Sequence, residues 1–290
     1  MFYEGDVYRP PSEAESLIIQ LTIGCARNTC RFCTMYKDKK FRIRPLPEIF
    51  AELEWLKNTY PYYHFDRVFL ADGDALIVKT PELVTLLDKI FDLFPHVRRV
   101  TTYGAAKDVL AKSHEELCLL RQHGLEMVYI GAESGSDKVL TDVAKGVTAA
   151  ETVEACLKLK AAGIKTSMTL ITGLGGRADS REHAIESAKL VTATKPEYLG
   201  LLTLEMGKRT PMYEDLLAGT FERLSVTECL EEQKLFLEHV DSDGTILRSN
   251  HVSNYMALAG TLNRDRDQML DQLERAIAIG KKQEFGNQRI

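Results

Sequence analysis

Short apolar, β-branched runs alternate along this chain with longer stretches whose apolar positions recur at helical spacing. The runs fall at residues 17–23, 67–70, 99–103, 127–131, 165–171 and 198–204. Runs that stay apolar almost throughout fit strands buried on both faces, as in parallel sheets covered by helices. The intervening segments carry helix punctuation. Thr80-Pro81-Glu82 predicts an N-cap followed by proline at the first helical position. Ser113-x-x-Glu116, Thr148-x-x-Glu151 and Ser225-x-x-Glu228 each read as a capping box, in which side chains satisfy the first free N–H groups reciprocally. Gly124 and Gly163 stand where left-handed C-caps end two helices. Six strands separated by helices predict a parallel α/β sheet with right-handed crossovers. Six units, not eight, predict an open, partial (β/α)6 TIM-like barrel over residues 1–210. Residues 211–290 then form a short, mostly helical C-terminal extension that covers the barrel opening.

The residues with chemistry gather just after strand ends: Cys25, Cys30 and Cys33; Asp72-Gly73-Asp74; Glu133-Ser134-Gly135; and Gly173-Leu174-Gly175-Gly176. In a β/α barrel those ends share one face, where sites are built. The C-x4-C-x2-C spacing supplies three thiolates, one fewer than closes a structural zinc site or a fully ligated cluster. An iron–sulfur cluster with one free iron is the sharper reading. Zinc and a redox dithiol stay open, although the nearest histidine, His64, lies beyond a whole helical segment.

Composition changes this picture modestly. The 290 residues are 44% apolar and 27% charged, as in ordinary globular proteins. No apolar run approaches the roughly 18 residues of a membrane span. The N-terminus lacks a signal-peptide pattern, and Cys118, Cys156 and Cys229 are too scattered for a disulfide framework. A reducing, cytoplasmic setting follows as the expectation. Residues 27–44 hold seven basic residues and one acid, a formal +6 in a chain of −5. The acidic remainder argues against broad nucleic-acid binding.

Taken together, the spaced cysteines after the first strand, the acidic glycine turn after the second and the glycine-rich end of the fifth resemble the radical S-adenosylmethionine (SAM) superfamily. The resemblance covers roughly residues 15–210 and is closest to the group of the Elongator catalytic subunit, MiaB and NifB, through Ile130-Gly131-Ala132-Glu133-Ser134-Gly135 and the residues after it. The commonest superfamily spacing is C-x3-C-x2-C, one residue shorter than here. The resemblance implies that Cys25, Cys30 and Cys33 bind three irons of a [4Fe–4S] cluster, the fourth iron taking SAM. It implies that Phe32 packs on adenine and that Asp72, Gly73 and Asp74 stand for the turn that holds the methionine amino group. Glu133 and Lys145 have the separation of a polar ribose ligand and a basic SAM ligand in oxygen-independent coproporphyrinogen oxidases, with Ser134 and Gly173 beside them. Thr169 falls where those enzymes place a ribose-binding Asp.

The implied reaction is reductive cleavage of SAM to a 5′-deoxyadenosyl radical, which takes hydrogen from a small-molecule or peptide substrate. Only 24 residues precede Cys25, too few for a cobalamin domain or an extra cluster domain, which predicts a stand-alone, single-cluster member. Substrate contacts are sought in the polar run 241–256, with His251, Arg248 and Tyr255, and in Glu205 and Arg209 after the sixth strand. A flavodoxin- or ferredoxin-type donor would dock on Lys37, Lys39, Lys40 and Arg42, unless some of these charges face inward. Two other readings stand: a metal- or cluster-containing binding module without radical chemistry, and an activase of glycyl-radical enzymes.

Overall fold

The computed structural model describes residues 3–287. The chain forms two compact units, one of Met1–Asn28, Met35–Ile130 and Glu154–Thr166, the other of Thr29–Thr34, Gly131–Val153 and Ser167–Ile290. In chain order the first begins with strands β1 (Leu17–Gln20), β2 (Thr22–Ile23) and β3 (Arg42–Ile43), then helix α1 (Leu46–Thr59), β4 (Arg67–Ala71), α2 (Thr80–Leu93), β5 (Arg99–Tyr103), α3 (Ala106–Ala111) and α4 (His114–Gln122). Strand β6 (Leu125–Glu133) leads out of it into α5 (Asp137–Asp142), and α6 (Ala149–Ala161) leads back. The second unit continues with β7 (Lys165–Thr172), α7 (Gly176–Thr194), β8 (Tyr198–Thr203), α8 (Pro211–Ala218), α9 (Val226–His239), β9 (Ile246–Arg248), β10 (Ala259–Thr261) and α10 (Arg266–Asn287).

In the first unit β1, β4, β5 and β6 pair in parallel, with Leu17 opposite Val68, Val68 opposite Val100 and Val100 opposite Leu125. These strands are apolar because both faces are covered. Ile19, Phe69 and Leu70 are fully buried, as are Leu86 of α2 and Leu117 of α4. Each such side chain contributes about 1.5–3 kcal/mol on burial. In the second unit β7, β8 and β9 run parallel and β10 closes antiparallel on β9. Its helices α7 and α10 both pack on α9.

All six expected strands are present, with local differences. Residues 17–23 divide into β1 and β2, because Leu21 N–H still donates to Ala71 while its carbonyl accepts from Arg44 N–H, turning the chain toward β3. The capping boxes at Ser113 and Ser225 form, and Thr148 and Glu151 exchange the same reciprocal bonds. Gly124 and Gly163 have φ of +98° and +75°. Thr80 is not an N-cap: Lys79 holds that position, and the buried Thr80 hydroxyl accepts from Lys112 at 3.5 Å. After β8 come three helices and also two strands, so the run 241–256 holds β9 where a loop was expected.

Candidate functional site

Cys25 lies in the first unit, two residues past β2, and packs against the turn after β4: a β-carbon on Gly73 would sit 3.0 Å from that of Cys25 and 2.6 Å from the Tyr36 ring. Only glycine lets the backbone come this close. Both acids of this turn are buried. Asp72 is fully enclosed, its Oδ2 accepting from Gln20 Nε2 at 3.1 Å, Gly24 N–H at 3.0 Å and Lys39 Nζ at 2.7 Å. Lys39 is therefore turned inward, with 10% of its side chain exposed. Among the residues expected to dock an electron donor, Lys39 thus faces inward. Lys39 locks the turn, and Arg42 pairs with Glu4 at 2.6 Å.

Asp74 is 1% exposed, its carboxyl enclosed against Asp108 and the backbone of Ala105. Its neighbour is Asp108, which accepts from Arg27 at 3.0 Å and from Ala105 N–H at 3.2 Å. Burial first, then the hydrogen bond and charge of Asp108, push Asp74 up to about 8. Two carboxylates this close cannot both ionise, so the pair holds one proton at neutral pH.

In the second unit Cys30, Phe32 and Cys33 lie on the segment Thr29–Thr34. Arg31 fastens this segment: its N–H donates to Val143, its carbonyl accepts from Met212 N–H, and its guanidinium pairs with Asp215 at 2.6 Å. Phe32 packs half-buried on Val139, Val143, Leu174, Leu204 and Met212. No disulfide engages any of the six cysteines.

Glu133 ends β6 with φ of +67°, a strained conformation for a non-glycine residue. Its carboxylate meets Lys145 Nζ at 2.8 Å, closing a pair that folds over Gly131, where a β-carbon would lie 3.3 Å from that ammonium. Ser134 is fully buried and points into the protein, its Oγ 2.8 Å from His183 Nδ1 and accepting from Ser136 N–H at 3.0 Å. Gly173, φ +82°, donates its N–H to Glu232 Oε1 at 2.6 Å. Thr169 lies half-buried on β7 opposite Gly200.

The other polar candidates separate. Glu205 and Arg248 are exposed, and Arg248 donates to the carbonyl of Leu247. Tyr255 accepts from Arg223 at 3.2 Å. His251 Nδ1 accepts from Ser253 N–H, while Ser253 Oγ accepts from Thr203 N–H and Asn254 holds the Leu201 and Ser249 carbonyls. These bonds fasten the run to the end of β8. A cavity of about 710 Å³ in this unit is lined by Arg31, Val139, Leu174, Arg177, Met212 and Phe221, but by neither Glu133 nor Lys145. Sequence reasoning missed Asp108, His183 and Glu232, and placed Lys39 in a docking patch. Only Ser180, His183 and Ser187, at helical spacing on α7, left a trace: polar residues on one face.

The residues present fit an iron–sulfur cluster and SAM in kind. Three thiols stand outside disulfides, a glycine turn without room for a side chain adjoins the first, and a carboxylate–ammonium pair matches the polar groups of an amino-acid nucleoside.

Comparison with known proteins agrees. The profile of the radical SAM superfamily matches residues 19–189. A protein of Methanocaldococcus jannaschii, named as a candidate methylthiotransferase, is 24% identical over 172 residues, 57% of this chain and 37% of the relative. The chain thus spans little more than a third of that curated relative. Methylornithine synthase has a similar fold, with a TM-score of 0.54 at 17% identity over 92% of this chain and 81% of the other. The Elp3 protein of Methanocaldococcus infernus, with an N-terminal deletion, gives 0.54 at 15% identity over 78% and 58%. Both support the partial-barrel α/β class expected from the strand pattern. Since the superfamily profile covers more than half of its length, the chain belongs to the radical SAM superfamily, whose cofactors are a [4Fe–4S] cluster and SAM.

Proposed function

We propose that the chain is an enzyme that reductively cleaves SAM at a [4Fe–4S] cluster and uses the 5′-deoxyadenosyl radical to take hydrogen from a small-molecule or peptide substrate. The observation that carries the reading is the C-x4-C-x2-C stretch inside the matched region, residues 19–189. Cys25, Cys30 and Cys33 hold the cluster, leaving one iron for SAM. Asp74 and the backbone of its turn receive the ammonium group, for which a half-protonated carboxyl pair is a ready acceptor. Glu133 takes the ribose hydroxyls and Lys145 the carboxylate, each exchanging its present partner for the ligand. Lys offers a carboxylate a point charge and not the paired donors of Arg, so this contact is single. Phe32 offers its ring to adenine, and Ser134, Thr169 and Gly173 border the ribose.

Residues 1–210 act as the catalytic core and 211–290 as its extension. The electron comes from a donor of the flavodoxin or ferredoxin type. A reducing, cytoplasmic location fits six cysteines outside disulfides, and no helix among the described residues is long and apolar enough to cross a membrane. The test is anaerobic reconstitution. About four irons and four sulfides per chain are expected, with 5′-deoxyadenosine formed only when dithionite is present. One stoichiometric zinc and no cluster would sink the reading.

A further inference from the structure

The end of β7 is gripped from behind by three polar side chains. Ile171 carbonyl accepts from His183 Nε2 at 3.0 Å, Thr172 hydroxyl accepts from Gln233 Nε2 at 3.2 Å, and Gly173 N–H donates to Glu232 Oε1 at 2.6 Å. A carbonyl can only accept, so the neutral His183 ring carries its proton on Nε2 and accepts the Ser134 hydroxyl proton on Nδ1. One imidazole thus ties the end of β6 to the end of β7. Glu232 Oε1 lies 3.6 Å from the same Nε2, and its Oε2 accepts from Ser180 Oγ at 2.5 Å.

Glu232 and His183 are 4% and 3% exposed. Burial pushes the Glu232 carboxyl up from its ordinary range. A leucine would fill this space at lower desolvation cost, so packing alone does not account for a carboxyl here. Its position does: α9 lies beyond the residues that the superfamily profile matches, yet Glu232 reaches into the glycine-rich turn of the matched region.

We propose that Glu232 and His183 are positioning residues for SAM, Glu232 fixing the Gly173 turn and His183 holding that turn in register with Ser134. This rests on the reading that these strand ends contact SAM. Neither residue needs to touch the ligand. Each sets where backbone groups stand, and a misplacement of a fraction of an ångström is enough to weaken several contacts together.

The experiment uses the anaerobically reconstituted protein and S-adenosylhomocysteine, which binds without being cleaved. Affinity is measured by calorimetry for the wild type, Glu232→Gln, Glu232→Leu and Glu133→Ala. Glu232→Leu should lose about tenfold or more, the scale of one charge-assisted hydrogen bond. Glu232→Gln should stay within about threefold, because its amide oxygen still accepts Gly173 N–H while the Ser180 hydroxyl turns to accept from the amide. Iron content should match wild type in both. The electron-spin resonance change of the reduced cluster on adding SAM should persist in the Gln variant and fade in the Leu variant at equal SAM. Wild-type affinity in Glu232→Leu, alongside a loss in Glu133→Ala, would overturn the positioning role. No loss in Glu133→Ala would overturn the SAM reading of this edge, and the proposal with it. Should Glu232→Leu not fold, Ser180→Ala removes only the donor to Oε2. About a threefold loss is then expected, and unchanged affinity overturns the proposal.

Discussion

Replacing Asp74 with Asn tests whether the buried carboxyl pair stores a proton. Asp74 moves from an ordinary 3.8 when unfolded to about 8 when folded. Between those values the folded chain binds the proton that the unfolded chain releases, so folding stability falls as pH rises. The contribution is complete below pH 4 and is lost progressively up to pH 8. At 1.36 kcal/mol per unit, the loss from Asp74 amounts to about 4 kcal/mol by pH 7. The Arg27 guanidinium offsets part of the charge, so about 2–4 kcal/mol is expected. Asn has the same shape, cannot ionise, and can donate its amide N–H to Asp108. Urea unfolding of the metal-free protein at pH 5, 6, 7 and 8 should therefore show a declining stability for wild type and a flatter curve for Asp74→Asn. The variant becomes the more stable protein at the upper end. Parallel curves would refute the reasoning and place the proton elsewhere.

Other outcomes follow from the same contacts. Cys30→Ala should abolish cluster assembly, measured as iron per chain and loss of the brown chromophore, while the circular dichroism stays close to wild type. Lys39→Met removes the cation from the enclosed Asp72, at about 3 kcal/mol in thermal unfolding. Its turnover should fall equally with flavodoxin and with dithionite; a loss confined to flavodoxin would restore Lys39 to a docking role. Gly135→Ala would place a methyl 2.6 Å from the backbone nitrogen of Ser187. A destabilisation of about 1–3 kcal/mol by denaturant titration is expected, and a neutral change would contradict the close packing of β6's end on α7.

The strands of the first unit were readable because burial on both faces writes itself as a nearly unbroken apolar run, while β7 and β8, buried at alternate residues, were readable from their apolar alternation. β9 and β10 escaped because three residues carry no period, and Ile246–Arg248 is defined by what it lies beside, Tyr198–Gly200, not by its own sequence. Capping boxes were readable for the opposite reason: both partners lie three residues apart, so nothing distant decides them. Thr80 shows the limit of local signals, since Lys112, from the other end of α3, takes its hydroxyl. The same holds in the site. Cys25, Cys30 and Cys33 announce themselves by spacing, and Glu133 and Lys145 by a twelve-residue separation that the structure closes into an ion pair. His183 and Glu232 act across 49 and 59 residues respectively; the polar face of α7 marks His183 only faintly, and nothing in α9 singles out Glu232. Lys39 was misread because a basic run is normally solvated, whereas the enclosed Asp72, the Asp6 carbonyl and the Tyr36 ring draw this lysine inward.

These contacts also bear on how a ligand is bound. Glu133 and Lys145 pair with each other, Asp72 has three donors, and Asp74 is held against Asp108 with its pKa raised by burial. Binding at such groups is exchange, not the filling of empty contacts, so its free energy is the difference between the old partner and the new one. For Glu133 and Lys145, about one-eighth exposed and one-sixth exposed, the proposed exchange trades one charge pair for another plus hydroxyl hydrogen bonds to Glu133, which favours a ligand carrying both a hydroxyl and a carboxylate over one carrying either alone. On the proposed function, an ammonium arriving at Asp74 displaces a proton, which lowers the carboxyl's pKa and makes binding tighter as pH rises toward 8. A ligand without that ammonium gains nothing from the displacement. On the proposed function the buried pairs therefore act as a filter on charge pattern: a molecule engages them only by replacing what they already have.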